Sequence, residues 1–155
     1  MQYRARYHIR NVRIVLDTDI VVAAARSATG ASRWLLRAGL ERKITLVTSV
    51  PLMLEYEAVL TRPEHVGTLG FSQQEVLAIL DAISAVSDHT RLSFRWRPLL
   101  SDGNDDMVLE TAINGRAELL VTFNIRDFGS SGEPFGCRTV LPRNAVILIR
   151  DRLQQ

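Results

Sequence analysis

The stretch NDDMVLETAINGRAELLVTF, residues 104–123, predicts one helix that leads directly into a short buried strand. Asn104 can cap the helix, which would place Asp105 and Asp106 in its first turn, where the helix dipole favours carboxylates. Asp106 and Glu110 then lie one turn apart on the same face, and their charges repel unless a cation or solvent offsets them. The stretch therefore predicts a helix–strand unit with acids at its start.

Apolar runs of strand length alternate with helical patterns along the rest of the chain. Ser49 can cap one helix with Pro51 in its first turn, and Ser72 with Glu75 has the spacing of a capping box. Strands that alternate with helices predict an α/β fold with a parallel sheet covered on both faces. We expect strands over 13–17, 44–49, 119–123 and 138–141, an edge strand over 91–96, helices over 20–27, 31–42, 49–63, 72–87 and 104–117, and a strand or a helix over 145–153.

Length and composition indicate a single domain. The chain has 155 residues, of which 46% are hydrophobic and 23% charged, which suits one globular domain over 13–155 behind a basic N-terminal extension, 1–12. No apolar run approaches the ~20 residues that span a bilayer, and the N-terminus lacks the apolar core of a secretory signal. We therefore expect a cytoplasmic protein without a membrane segment.

Cysteine and histidine contribute little to the candidate chemistry. Cys137 is the single cysteine, which excludes an intrachain disulfide and a zinc site built from cysteines. The three histidines lie far apart, without the spacing of metal ligands. The net charge is only +2, but eighteen of the nineteen basic residues are arginines, which pair with phosphate through two parallel hydrogen bonds. This composition is compatible with nucleic-acid binding but does not assign it.

Carboxylates occur where predicted strands and helices meet. Asp17 ends the first predicted strand, and Asp19 follows two residues later. A charged side chain at this point is costly to bury without a partner. Capping of the next helix explains Thr18 or Asp19 better than Asp17, which is still in register with the strand. Asp17 is therefore the stronger candidate for a functional site.

Two further groups of polar residues lie at comparable junctions. Glu55 and Glu57 flank the apolar arc of their helix, one on each side, and periodicity leaves both open. Asn124 and Asp127 follow the strand of the 104–123 stretch. Because open α/β sheets bind ligands at the carboxyl ends of their strands, several of these side chains are expected to converge. Clustered oxygen ligands of this kind select Mg²⁺ or Mn²⁺, which suits metal-assisted cleavage of phosphodiesters.

Four segments carry a resemblance to a known family: RIVLDTDIVVAA (13–24), TSVPLMLEYEAVLTRPE (48–64), SDGNDDMVLETAINGRAELLVTFNIRDF (101–128) and RTVLPRNAVIL (138–148). Their order resembles PIN-domain proteins, in particular the bacterial and archaeal branch of toxins from toxin–antitoxin systems, the VapC-like ribonucleases. The resemblance implies a three-layer α/β/α sandwich with a central, mainly parallel sheet. It also implies an Mg²⁺- or Mn²⁺-dependent endoribonuclease that is the toxin component of such a system.

Matched residue by residue, the resemblance gives three acids a role. Asp17 matches the first acid of the family, Glu55 rather than Glu57 the second, and Asp106 the third, while Asp105 is secondary. In the implied mechanism Asp17 and Asp106 hold the metal, and Glu55 orients a metal-bound water or a second ion. The metal lowers the pKa of the water, and hydroxide attacks the RNA phosphate in line.

The fourth acid position of the family, two residues after the threonine, is occupied by Asn124. An amide oxygen can bind a metal but brings no negative charge, so the site has three acids or takes a fourth from Asp127 or Glu110. Asp19, where the family commonly has asparagine, is expected to help orient Asp17. The RNA backbone is expected to lie against arginines near helix ends: Arg33, Arg37, Arg62 and Arg126.

The resemblance also implies partners. Family members of this kind often form homodimers, and the toxins are held inactive by a small antitoxin protein. An RNA substrate, an antitoxin and a second copy of the chain are therefore the expected partners.

Two alternative functions stay open at this point. A degenerate PIN fold can serve as a non-catalytic binding or dimerisation module, an interpretation that Asn124 motivates. The start of the chain also fits a haloacid-dehalogenase phosphatase, with Asp17 as the nucleophile and Asp19 as the acid/base. Against this, that family needs its lysine later in the chain than Lys43, the single lysine present.

Overall fold

A computed structural model describes residues 11–93, 100 and 102–155, so the predicted extension over 1–12 lies, except for its last two residues, outside the described part. The described strands are β1 (Arg13–Leu16), β2 (Thr45–Thr48), β3 (Asp88–His89), β4 (Leu119–Val121) and β5 (Arg138–Val140). The described helices are α1 (Thr18–Arg26), α2 (Ala31–Leu40), α3 (Val50–Leu60), α4 (Pro63–Leu69), α5 (Gln73–Val86), α6 (Gly103–Asn114), α7 (Ile125–Phe128) and α8 (Pro142–Leu153), with a short 3₁₀ helix at Glu133–Phe135. No helix among them has both the length and the apolar character needed to cross a membrane.

The five strands form one parallel sheet in the order β3-β2-β1-β4-β5. The chain moves outward from β1 to β3 and then returns to the other side of β1 with β4. Because crossovers between parallel strands are right-handed, this reversal sends the connecting helices to opposite faces of the sheet. The predicted three-layer α/β/α sandwich is therefore confirmed.

The central strands lie between two helical layers. On one face α6 packs against β1, β2 and β4, and on the other α2 packs against α1, α5 and α8. Ile14 and Leu120, on neighbouring strands, are fully buried. The carboxyl ends of β1 and β4 lie side by side where the strand order reverses, and open α/β sheets bind their ligands at such a point.

Local sequence signals account for several helix starts. Ser49 accepts a hydrogen bond from the backbone N–H of Leu52 at 3.3 Å and caps α3, as predicted. Ser72 and Glu75 form the predicted capping box: the backbone N–H of Ser72 donates to the Glu75 carboxylate at 2.7 Å, and the N–H of Glu75 donates to the Ser72 hydroxyl at 3.2 Å. These reciprocal bonds satisfy backbone donors that the first helical turn leaves unpaired.

One predicted element differs from the structure, and one that the sequence leaves open is decided by it. The edge strand expected over 91–96 is wrong where it can be compared, because residues 91–93 lie outside any strand and 94–96 are not described. The edge strand is β3 instead, which pairs with β2 through two residues. The C-terminal segment, left open between strand and helix, is α8, which buries Ala145 and Ile149 on one face.

Gly115, at the end of α6, marks a close approach of backbone and sheet. A Cβ at this position would lie 2.2 Å from Cγ1 of Val47 and 3.0 Å from Thr111 O. We expect Gly115→Ala to lower the free energy of unfolding by about 1–3 kcal/mol, because the packed β2 side chain must move. Gly67→Ala, where a Cβ meets nothing within 4 Å in α4, is the matched control and is expected to be neutral or stabilising. Equal unfolding midpoints in urea for the two variants would contradict this packing argument.

Candidate active site

Asp17 directly follows β1, where the strand order reverses. Its backbone N–H donates to Val121 O at 2.9 Å, which keeps it beside the end of β4. Its carboxylate accepts hydrogen bonds from the backbone N–H of Thr18 and from the hydroxyl of Thr122, each at 2.7 Å. Asp17 is thus the N-cap of α1, and the prediction that capping fits Thr18 or Asp19 better is wrong. The strand ends and the helix begins at one residue, so strand register and capping do not exclude each other.

Asp19 lies in the first turn of α1, beside Asp17. Its Oδ2 accepts a hydrogen bond from the backbone N–H of Phe123 at 3.1 Å. Its Oδ1 is buried and has no hydrogen-bond partner among the residues that the structure describes. Because a buried carboxylate oxygen without a donor is costly, this position is suited to a cation.

Burial and neighbouring negative charge raise the pKa of both carboxyls. Removal from water, and after it the charge of Asp19, raise the pKa of Asp17 from 3.8 to about 6. The hydrogen bonds from Thr122 and Thr18 lower the pKa of Asp17, because they stabilise its ionised form. Burial is also the main cause of the raised pKa of Asp19. The fold therefore holds two carboxylates together against their repulsion.

Asp105 belongs to the same group of acids. Its pKa is raised to about 6, first by burial and next by the negative charge of Asp17. The other charges that raise it are those of Asp102, Asp127 and Asp106. Spacing alone could not distinguish Asp105 from Asp106, because neighbouring helical residues point about 100° apart and the rotation of α6 decides which faces the site. We call Asp17, Asp19 and Asp105 the acidic cluster.

Asp106 lies in the first turn of α6, as predicted, and is only 2% exposed. Its carboxylate accepts a hydrogen bond from the backbone N–H of Leu100 at 2.8 Å, which fastens the preceding segment to the helix. The N-cap of α6 is Asp102, whose side chain accepts from the backbone N–H of Asn104 at 2.9 Å. The prediction that Asn104 caps the helix is therefore wrong. The role of Asp106 as the third acid stays a prediction, beside an evident structural role.

Helix α3, which carries Glu55 and Glu57, packs beside the end of β1. The hydroxyl of Tyr56 donates to Leu16 O, which ties the helix to the end of β1. Glu55 is half-buried, whereas Glu57 is exposed. One turn after Glu55, Val59 borders a cavity that reaches the acidic cluster. Glu55 is therefore the less exposed of the two glutamates, and its role as the second acid stays a prediction.

Asn124 and Asp127 interact with each other after β4. The side-chain amide of Asn124 donates to the carboxylate of Asp127 at 2.6 Å, and its backbone N–H donates to Oγ1 of Thr122 at 2.9 Å. Asp127 also raises the pKa of Asp105, so its charge reaches the acidic cluster. Glu110, the other acid considered for the fourth position, is fully buried.

The arginines predicted to hold RNA are distributed around the molecule. Arg33 donates to a backbone carbonyl of α1 at 3.1 Å. Arg37 pairs with Glu41 at 2.8 Å, close to the amino end of β2. The acidic cluster lies at the carboxyl ends of the strands, so this pair is at the opposite end of the sheet. Arg62 is exposed before α4, and Arg126 is exposed on α7, directly after β4. The structure thus places Arg126 nearer to the site than Arg37.

The acidic cluster suits a divalent cation by its chemistry. Within residues 11–93, 100 and 102–155, no three carboxylate, histidine or cysteine side chains converge closely enough to hold a metal ion together. However, Oδ1 of Asp19 is buried without a donor among these residues, and repulsion raises the pKa of Asp17 and Asp105. Positive charge would offset both costs, and carboxylate oxygens are the ligands that Mg²⁺ and Mn²⁺ prefer.

Comparisons with known proteins relate the fold of the chain to a solved structure and give its family. Among solved structures, the chain is similar to the crystal structure of VapBC2 from Rickettsia felis bound to a DNA fragment from their promoter, with a TM-score of 0.55 and 17% identity over 83% of this chain and 99% of that one. At this identity the likeness concerns the fold. No curated protein matches the chain significantly. Residues 13–126, well over half of the chain, match the family model described as PIN domain, and the chain therefore belongs to the PIN domain family.

Proposed function

We propose that this protein is an Mg²⁺- or Mn²⁺-dependent endoribonuclease that hydrolyses phosphodiester bonds of RNA in the cytoplasm. PIN domains are generally nucleases, and they generally use divalent metal ions. The observation that carries the proposal is the pair of buried Asp17 and half-buried Asp19 at the carboxyl ends of β1 and β4, both with a raised pKa. A site with carboxylates as its acids, and without histidine or cysteine in the cluster, is suited to metal-assisted hydrolysis.

The chain's own residues would share the work as follows. Asp17 and Asp106 are proposed to hold the cation, with Glu55 at the edge of the site and Asp19 and Asp105 adding negative charge beside it. When bound, a divalent cation supplies positive charge that neutralises carboxylates and phosphate, and it lowers the pKa of a bound water. Asn124 and Asp127 are proposed to lie outside the direct ligands, as an accessory pair.

Thr122 positions the first acid. Its hydroxyl donates to one oxygen of Asp17 while the N–H of Thr18 reaches the other, which fixes the plane of the carboxylate. A carboxylate oxygen retains acceptor capacity after one hydrogen bond, so both oxygens can still face a cation. This arrangement fixes the geometry of Asp17 before any ligand arrives.

The direct test is cleavage of an end-labelled RNA by the purified protein. The proposal predicts fragments in Mn²⁺ or Mg²⁺ and none after chelation with EDTA, at unchanged protein concentration. A folded protein that leaves RNA intact at millimolar Mn²⁺ would contradict it.

Thr122→Val tests the positioning of Asp17. The substitution removes two hydrogen bonds of the Thr122 hydroxyl: the buried one that it donates to Asp17 and the part-buried one that it accepts from the N–H of Asn124. The expected loss in the free energy of unfolding is about 1–3 kcal/mol. Because the lost bond lowers the pKa of Asp17, the acidic limb of the cleavage–pH profile should move to higher pH. Thr45→Val, at the amino end of β2, is the matched control. An unshifted limb in Thr122→Val would contradict the positioning role.

The stability of the metal-free protein should depend on pH. The pKa of Asp17 rises from 3.8 to about 6 on folding, so the native state binds this proton more tightly than the unfolded chain does. The free energy of unfolding is therefore expected to fall as pH rises from about 4 to about 6, by roughly 2–3 kcal/mol for Asp17. Urea unfolding in EDTA across this range measures it, and Asp17→Asn should flatten the slope. An identical slope in the variant would refute the assignment.

We further propose that the nuclease is the toxin component of a toxin–antitoxin system, a homodimer controlled by a small antitoxin. Support comes from the similarity to VapBC2, whose structure contains promoter DNA. The test is co-expression with a small protein that a neighbouring gene encodes, followed by a cleavage assay of the purified complex. Cleavage at the same rate with and without the co-purified partner would contradict it.

Of the two alternatives, the non-catalytic PIN fold is the one that a structural observation still favours. Asn124 occupies the fourth acid position, and its side-chain amide donates a hydrogen bond to the carboxylate of Asp127. Binding without cleavage in Mn²⁺ would establish this alternative. The haloacid-dehalogenase interpretation is wrong: the chain belongs to the PIN family, and Lys43 pairs with Glu41 at 2.7 Å before β2, at the opposite edge of the sheet from Asp17.

A further inference from the structure

Phe123 is an exposed aromatic residue held against the acidic cluster. It exposes 52% of its surface, directly after Thr122. Its backbone N–H donates to Oδ2 of Asp19 at 3.1 Å, so its position relative to the acids is fixed. A single exposed apolar side chain is ordinary on a protein surface, so the role of Phe123 depends on what surrounds it.

Two cavities border Phe123, and the residue contributes to the wall of both. One of about 480 Å³ reaches the acidic cluster and is lined, besides Phe123, by Thr18, Asp19, Val22, Arg26 and Val59 among others. The other, of about 380 Å³, includes Gly30, Leu141, Pro142 and Arg143 in its lining. Phe123 therefore lies between two recesses, one of which opens onto the acids.

Each recess carries a cationic side chain. Arg26, at the end of α1, lines the first, and its guanidinium lies 3.0 Å from Nδ1 of His65. Arg143, exposed at the start of α8, lines the second. Positive charge thus flanks the aromatic residue on two sides, and arginine is the side chain that best matches phosphate.

We propose that Phe123 is a stacking platform for one base of an unpaired nucleic-acid strand, with Arg26 and Arg143 taking backbone phosphates in the two recesses. Every base has a face that can stack on an aromatic ring, so such a platform binds single strands with little sequence preference. The proposal rests on the proposed nuclease function and adds a positioning residue for its substrate, an unpaired stretch of RNA. Bases inside a duplex are stacked on one another and do not reach the ring.

Charge favours a nucleic acid over a protein segment as the occupant. A peptide that fills two apolar recesses would leave Arg26 and Arg143 without a required partner, whereas a strand with regularly spaced phosphates uses both. Continuity with the acidic cluster supports the same choice, because Phe123 and Asp19 line one cavity and a strand bound to the ring would extend towards the acids.

The test is binding of a fluorescein-labelled oligouridine RNA, measured by anisotropy in EDTA so that metal-dependent cleavage does not intervene. Phe123→Ala is expected to weaken binding at least fivefold, since one stacked base contributes about 1–3 kcal/mol. Phe123→Tyr should bind within twofold of the unsubstituted chain. Phe135→Ala is the matched control: this phenylalanine is 46% exposed but lies before β5, at the opposite edge of the sheet.

A second readout keeps the test independent of folding. Phe123→Trp adds an indole at the platform to the two tryptophans of the chain. The emission that it adds, relative to the unsubstituted chain, should be quenched by oligouridine but not by the same RNA annealed to a complementary strand. Equal losses in Phe123→Ala and Phe135→Ala, or equal quenching by duplex and single strand, would overturn the proposal. Unchanged emission on addition of RNA would also overturn the proposal, and a protein segment would then be the better candidate for the occupant of this face.

The outcomes separate this inference from the proposed nuclease. Binding that depends on Phe123, without cleavage in Mn²⁺, would reject the nuclease and retain the platform. Cleavage of RNA by Phe123→Ala with the KM of the unsubstituted chain would reject the platform and retain the nuclease.

Discussion

Asp17→Asn is expected to abolish Mn²⁺-dependent RNA cleavage while raising the melting temperature of the metal-free protein at neutral pH. Asparagine keeps an oxygen that can accept from the N–H of Thr18, so the cap of α1 is preserved. It removes a buried charge whose pKa is raised to about 6 by burial and by Asp19. The expected gain in melting temperature is on the order of 5 °C, and the expected loss of activity exceeds a hundredfold.

Two measurements, cleavage of end-labelled RNA and a thermal melt in EDTA, check this prediction together. Asp81→Asn, which removes an exposed carboxylate from α5, is the matched control and should change neither. Full activity in Asp17→Asn would remove Asp17 from the proposed machinery. Loss of activity with a lower melting temperature would mean that Asp17 serves the fold rather than the reaction.

Asp106→Ala is expected to lose both cleavage and stability. Truncation leaves the N–H of Leu100 without its acceptor and removes a side chain that is only 2% exposed. A hydrogen bond to a charged group contributes about 1.5–3 kcal/mol, so the unfolding midpoint should fall clearly. Asp106→Asn, whose amide oxygen can still accept from Leu100, should restore most of the stability but not the cleavage.

Asp105→Asn is the matched comparison, because it removes a charge one residue away. It should stabilise the metal-free protein, since the pKa of Asp105 is raised to about 6 by burial and by neighbouring carboxylates. Its expected loss of cleavage, about tenfold, is smaller than that of Asp106→Asn. Full cleavage by Asp106→Asn together with none by Asp105→Asn would transfer the role of the third acid to Asp105.

The fold could be predicted because its signals are local. Short apolar runs alternate with capped helical segments, and that order favours a parallel sheet with helices on both faces. The edge strand could not be found in the same way, because β3 has two residues and pairs with β2 alone. The sequence does not predict helix α4, because Pro63 follows a helical pattern and indicates its end. Proline also suits the first turn of a following helix, which is its position in α4.

The sequence predicts where the acidic residues of the site lie along the fold better than it predicts which side chains interact there. The ends of β1 and β4 indicated where acids meet, and Asp17 lies there. The involvement of Asp105 depends on the rotation of α6, which sequence spacing does not fix. Phe123 and Arg26 had no distinguishing pattern in the chain, because an exposed aromatic residue and a buried one look alike until the packing is known.

The most direct test of the central claim is an anomalous difference map from crystals of the full chain soaked in Mn²⁺. The account predicts a peak at the carboxyl ends of β1 and β4, within coordination distance of Asp17 and of an acid from the first turn of α6. The same soak of Asp17→Asn crystals should give no peak there. Well-ordered crystals of the unsubstituted chain with no peak at Asp17, or with Mn²⁺ bound elsewhere only, would contradict the account.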